Sequence, residues 1–463
     1  MVFSSLVFLF GFLPITLILY WIAPKSWKNT VLFGVSLFFY AWGEPIYILL
    51  MLLSITSAYL FGFLIERYRT DSPCIAKVYT FLSMSVNLAA LFFFKYYNFL
   101  AEAVRAPIIS GLVLPIGISF YTFQILSYTV DLYRGEIALQ RNYLAFGTYV
   151  TLFPQLVAGP IVKYSEIDQA LSDRTVTTSD FFTGVIRFVT GLCKKLLIGD
   201  ALALGYEYYK GLMEFSPTTL GAWLVAVFYS LHLYFDFSGY SDMAIGLGRM
   251  FGFRFPENFR YPYISKSISE FWRRWHITLS SWFRDYVYIP LGGNRCGRKR
   301  QCRNLLIVWM LTGIWHGAGW NFVLWGLYFG VLLILEKLFL LRILEKAPST
   351  LRHLYTLILV FVSFLIFSSS NLSFAWRCFL AMLGWGTVGF STNPVAYQLL
   401  HYLPLLAAAG VGATPTVSQA VRRFMQRGKW RWAAVPITLA VLLLICTAYL
   451  VDSTYSPFAY FNF

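Results

Sequence analysis

An all-α, polytopic membrane protein is the fold class this sequence predicts, and three observations predict it. The 463 residues are 58% hydrophobic and only 13% charged, against about 25% charged in a soluble domain. Mean hydropathy is +0.63, so the chain lacks the polar surface a water-soluble fold needs. Apolar runs of membrane-spanning length recur from end to end, and a helix crosses a hydrocarbon core with roughly 20 such residues.

In chain order the runs lie near 5–22, 30–42, 46–64, 78–95, 108–128, 180–199, 217–235, 304–322, 323–341, 354–370, 376–390, 394–411 and 433–451. No repeat, low-complexity tract or soluble linker separates them. The organisation expected is one membrane-embedded domain over 1–463, with its most distinctive sequence at about 110–340 and less characteristic spans at about 350–455.

The formal charge is +16. In a soluble protein that would suggest nucleic acid. Here the basic residues sit in short loops between apolar runs, so positive-inside bias and contact with membrane lipids account for them, and no nucleic-acid partner is expected. ERYR (66–69), NRCGRKRQCRN (294–304) and VRRFMQRGKWR (421–431) are placed in the cytoplasm. No secretory signal peptide is expected before the first span, and the PKSWK segment (24–28) after it favours an outside N-terminus. The last span then exits at Asp452, outside. Six cysteines form no C-x-x-C pair, and Cys296 and Cys302 have no histidine beside them. Neither a zinc site nor a disulfide framework is expected.

Two stretches depart from ordinary spans. In 142–164, Pro154, Gly159 and Pro160 break any helix, and broken backbone at membrane depth must be buried in protein or line a wet cavity. A kinked packing helix is the alternative. In 235–290 the chain turns semi-polar and aromatic. There SISEFWRRWHITLSSWFRDYVY reads as one amphipathic helix ending at Pro290. Ser267 and Glu270 form a capping-box pattern. Ile268, Phe271, Trp272, Trp275, Leu279, Trp282, Phe283 and Tyr286 make its apolar stripe. His276 falls on the stripe's edge.

Ionisable groups inside apolar runs are costly and mark function. His316, in MLTGIWHGAGWN, has Gly313, Gly317 and Gly319 within a turn and Trp315 and Trp320 nearby, the composition of a cavity wall. A histidine that merely bonds a neighbouring carbonyl is the plainer explanation. His232 and Asp236, four apart, share a helix face and form an H-x-x-x-D pattern, a competing candidate pair in which the aspartate would orient a histidine base. Asp236 and Asp242, in DFSGYSD, belong to a polar patch that reads first as a buried network tying helices together. No G-x-S-x-G elbow, H-E-x-x-H, phosphate loop or dinucleotide fingerprint occurs.

YFDFSGYSDMAIGLGRMFGF, FPENF, SISEFWRRWHITLSSWFRDYVYIPLGGNR and MLTGIWHGAGWNFVLWGLYFG together resemble the membrane-bound O-acyltransferase (MBOAT) family, and LPIGISFYTFQ and FPQLVAGPI resemble its bacterial alginate O-acetylation branch. The resemblance covers most of the chain to about residue 340. It implies a multi-helix bundle around a central funnel or tunnel. It implies catalytic histidines at His316 and His276, the first as base and the second supplying a donor or positioning the acceptor. It implies acetyl-CoA as the acyl-donor substrate, with no metal. It further implies an extracytoplasmic acetyl-acceptor or transferase protein, through which a polysaccharide is reached, and the bacterial inner membrane as the site. Asp236 and Asp242 are candidates for orienting the histidines. D-alanyl transfer to teichoic acid and a peptidoglycan acetyl relay stay open within the family. A transporter or flippase without covalent chemistry stays open outside it, and so does a purely structural membrane scaffold.

Overall fold

The structure, a computed structural model, describes residues 1–295, 297–369, 371–426 and 431–452. Cys296 and residues 427–430 of the VRRFMQRGKWR segment lie outside the described residues. The described chain is helical, with no strand. Six of its helices are long and apolar enough to cross a membrane: Ile48–Tyr68, Pro73–Ala103, Thr219–Met250, Ser349–Ser368, Asn393–Gly412 and Ala434–Asp452. Val7–Ile22 and Leu372–Met382 are apolar but shorter. This is a multi-pass membrane protein.

Burial separates these helices. Thr219–Met250 is 72% buried over its most apolar stretch, whereas Asn393–Gly412 is 11% and Ala434–Asp452 only 6% buried. The last two turn Leu403, Val411, Ile437 and Leu444 outward. Lipid, not protein, covers such faces.

Contacts divide the chain into two compact units: Met1–Phe188 with Tyr240–Glu257, and Val189–Gly239 with Asn258–Phe463. In the first, Ile48–Tyr68 packs on Pro73–Ala103, which packs on Ile118–Arg134, and Lys28–Gly43 packs on Tyr143–Thr151. The apolar run at 108–128 is helical only from Ile118, because Gly117 (φ 77) opens the helix in a left-handed conformation. A Cβ there would lie 2.7 Å from the Leu156 carbonyl oxygen. The 142–164 stretch is broken, as its prolines require. Asn142 caps Tyr143–Thr151 by accepting the Ala145 N–H at 3.1 Å, and a short Phe153–Leu156 turn follows. Residues 145–162 are buried. Their polar groups are met locally: the Phe153 N–H donates to Ser36 Oγ (3.1 Å) and Gln155 Nε2 to the Tyr149 carbonyl (2.7 Å). Arg187 ion-pairs with Asp242 (2.7 Å) and Glu257 (2.5 Å) in this unit.

Four boundaries differ from the predicted runs. Thr178–Cys193 continues through a π-helical turn, Lys194–Asp200, into Ala201–Phe215, a helix absent from the predicted runs. Thr219–Met250 does not stop at residue 235 but carries DFSGYSD within it. Its two carboxylates are tolerated there because they find partners, Asp236 in Lys195 (3.3 Å) and Asp242 in Arg187 (2.7 Å). Arg298–His316 and Trp320–Leu335 form a hairpin that turns at residues 317–319, so His316 ends a helix rather than sitting mid-span. A Cβ on Gly313 would overlap the Phe322 carbonyl oxygen, and one on Gly326 the Trp309 carbonyl. These glycines serve close helix–helix approach.

The predicted amphipathic helix is two helices, Ile268–Trp272 and Ile277–Phe283, followed by a π-helical turn at Arg284–Tyr288. Ser267 Oγ does accept the Glu270 N–H (3.0 Å). The break comes at His276, which adopts φ 42, ψ 54. A helix cannot pass through that left-handed conformation.

Candidate active site

Four segments of the second unit converge on one point. Thr219–Met250 contributes Leu233 and Phe237, the turn before Ile277–Phe283 contributes Trp275 and His276, the hairpin contributes His316 and Trp325, and Ser349–Ser368 contributes Phe364 and Phe367. They line a cavity of about 10 Å³, close to the minimum for one water. His276 is fully buried and His316 is 5% exposed. The His316 ring meets Trp325 at 5.0 Å and Phe367 at 5.2 Å, both nearly perpendicular. The His276 ring meets Phe237 edge-on at 4.8 Å. Trp315 neighbours both imidazoles, 6.0 Å from His276 and 5.1 Å from His316.

The protonation of His276 follows from its partner. Its Nδ1 lies 3.1 Å from Asn258 Oδ1, which also accepts from the Thr278 hydroxyl (2.9 Å) and backbone N–H (3.4 Å). An oxygen already taking those donors accepts from the imidazole too, so Nδ1 carries the proton and Nε2 the lone pair. The Ile277 N–H donating to the Asn258 carbonyl (3.0 Å) braces the same turn. Left-handed backbone at a histidine costs about 1–3 kcal/mol and persists only when its surroundings enforce it. His276 sits in a turn outside the spanning helices, and burial pushes its imidazole down to about 3. It is neutral at physiological pH.

Of the residues singled out in the sequence, His276 and His316 thus meet, although 40 positions (316 − 276) separate them. Trp315 packs beside both imidazoles without lining the cavity, and Trp320 is 61% exposed and lines none of it. Asp242 engages Arg187 rather than a histidine. The H-x-x-x-D pair does not form a base and its orienter. His232 Nδ1 donates to the Gly199 carbonyl (2.9 Å), and Asp236 joins a buried network in which Lys195 reaches Asp200 at 2.5 Å. Lys195 is 2% exposed. Sequence reasoning passed over it because GLCKKLLIGD reads as the basic end of a span.

Trp325 was also missed. Its ring is 1% exposed, and its indole N–H has no acceptor among the described residues. The available signal was its place in WNFVLWG, five residues after Trp320. Only the hairpin turn decides which of the two tryptophans faces inward. A second, open cleft of about 420 Å³ runs along the same helix, lined among others by Trp272, Arg273, Ser280, Arg284, Trp309 and Thr312. Thr312 stands one turn before His316.

A buried, neutral histidine, a second imidazole and an indole donor around one small cavity suit proton transfer to and from a hydroxyl. Comparison with known proteins points the same way. The family model described as MBOAT, membrane-bound O-acyltransferase family, matches residues 136–379. The chain is 43% identical to a probable alginate O-acetylase AlgI of Azotobacter vinelandii over 90% of this chain and 85% of that protein. It is 31% identical to a peptidoglycan O-acetyltransferase of Helicobacter pylori over 100% and 98% of the two chains. With a teichoic acid D-alanyltransferase of Bacillus subtilis it shares 30% identity over 55% of this chain and 66% of that one.

Proposed function

Because this chain belongs to the membrane-bound O-acyltransferase family and is an O-acyltransferase, we propose that it takes acetyl from cytoplasmic acetyl-CoA and passes it across the bacterial inner membrane to an extracytoplasmic acceptor protein, for O-acetylation of an alginate-like exopolysaccharide. The identity to alginate O-acetylases, higher than to the peptidoglycan and teichoic acid enzymes, supports that acceptor class. The observation that carries the mechanism is the cavity shared by His276 and His316.

His316 acts as the general base. It removes the proton of the attacking hydroxyl as the oxygen bonds to the thioester carbonyl carbon. The C–S bond then breaks, and the thiolate recovers the proton from the imidazolium. The attacking hydroxyl gives its one proton to His316, and His276, whose neutral tautomer has no donor on that side, positions the acceptor by accepting a second polar hydrogen of the acceptor at Nε2. The Trp325 N–H serves the developing oxyanion. The cavity is smaller than an acetyl group, so the surrounding rings shift when substrate enters. The donor lies in the cleft beside Thr312, where Arg273 and Arg284 meet its phosphates.

The test uses purified protein in nanodiscs with labelled acetyl-CoA and an acceptor. His316→Ala should lower transfer by roughly 10²–10⁴-fold while the protein still inserts. Retention of more than about a tenth of wild-type transfer removes His316 from the chemistry.

A further inference from the structure

In the first unit, Lys25, Lys28 and Arg174 line a polar pocket of about 370 Å³ together with Asn29, Asn142 and Asp173. The three cations are crowded. Lys28 Nζ lies 4.6 Å from the centre of the Tyr20 ring, and the Arg174 guanidinium lies 5.6 Å from the same ring. Arg174 is held there by neutral groups: Nε donates to Tyr20 Oη (3.0 Å), and Nη1 donates to Asn29 Oδ1 (2.7 Å) and the Ala170 carbonyl (3.0 Å). Its Nη2 is buried with no acceptor among the described residues. None of the three cations forms an ion pair among the described residues. Asp173, the one acid in the lining, is exposed.

Backbone adds to the same sign of charge. The Lys28–Gly43 helix starts at this pocket with no side-chain cap and no acid in its first turn. The positive end of its dipole therefore lies beside a site already rich in cations. Burial, then Arg174 and Lys25, push the Lys28 ammonium down. A fold that concentrates like charge at a helix N-terminus has built half of an anion site.

Beside the pocket, Trp21 is 47%, Ile22 78% and Trp27 61% exposed. Exposed tryptophans of a membrane protein mark headgroup depth. We propose that this pocket binds the phosphodiester headgroup of an anionic phospholipid, with Lys25, Lys28 and Arg174 around the phosphate and the acyl chains lying along Trp21 and Ile22. The proposal is independent of the acetyl-transfer chemistry.

Native mass spectrometry of the full chain, released from nanodiscs of mixed phosphatidylglycerol and phosphatidylcholine, tests it. Wild type should retain phosphatidylglycerol selectively. Lys25→Gln with Lys28→Gln should weaken that retention by about fivefold per lysine, leaving phosphatidylcholine unchanged. The double variant keeps the Arg174 anchors to Tyr20 and Asn29, so an unchanged thermal transition shows that it is folded. Equal phosphatidylglycerol retention by wild type and variant overturns the site. Displacement of the lipid by millimolar inorganic phosphate also overturns it, because it would show a soluble phosphate as the ligand.

Discussion

At the scale of single residues, the cavity sets polar atoms against aromatic walls with little room to spare. Trp325 is the sharpest case, because its ring packs while its N–H is available. Trp325→Phe keeps most of the apolar contact and deletes the donor. Loss of one oxyanion donor costs about 10²–10³ in kcat. The expected outcome is a kcat lowered at least about tenfold with KM little changed and an unchanged melting transition. A variant with wild-type kcat would reduce Trp325 to packing. His276 illustrates the opposite case, a residue whose role was suspected but whose conformation was not. Helical spacing put it at the edge of a stripe, and its left-handed backbone instead ends one helix and starts another.

At the scale of elements, backbone packing decides which side chains meet. The hairpin of Arg298–His316 and Trp320–Leu335 delivers His316 and Trp325 together only because Gly313 and Gly326 let its backbones touch. Gly313→Ala should therefore destabilise by about 1–3 kcal/mol, read as a lowered melting temperature in detergent. Gly34→Ala is the control, since a Cβ there meets nothing within 4 Å. The π-helical turn Lys194–Asp200 brings Lys195 to Asp200 and Asp236 in a buried cluster. Breaking a buried pair from one side costs about 3–5 kcal/mol, because the partner charge stays buried. Lys195→Ala should accordingly lower the folded yield sharply. Adding Asp200→Asn and Asp236→Asn should restore much of it, whereas an undiminished yield for Lys195→Ala alone would deny the cluster any structural weight.

For the whole molecule, orientation in the membrane links charge to function. Arg298, Lys299 and Arg300 open the helix that ends at His316. Positive-inside bias predicts a cytoplasmic position for them, the side from which the proposed acetyl-CoA donor would enter. Neutralising two or three of them should leave topology unchanged, raise the KM for acetyl-CoA and flatten its salt dependence, with kcat nearly constant. Unchanged KM and salt dependence would leave them as topology signals only. Labelling of Cys302 by an impermeant reagent applied outside intact cells would reverse the orientation.

The sequence by itself determined the class and singled out the two histidines that line the candidate cavity. A 13% charged composition and recurring apolar runs leave no alternative to a membrane. A histidine flanked by tryptophan and glycine stands out wherever the chain is read. The broken stretch at 142–164 was legible too, because proline removes a backbone donor and fixes φ regardless of context. What only the tertiary structure decided is which groups meet. The approach of His276 to His316, the choice of Trp325 over Trp320, and the claims of Lys195 on Asp236 and Arg187 on Asp242 all depend on side chains from separate elements. Periodicity reports which face of one helix is buried. It carries no information on which atoms of another helix bury it, and hydrogen bonds and ion pairs are decided at that contact.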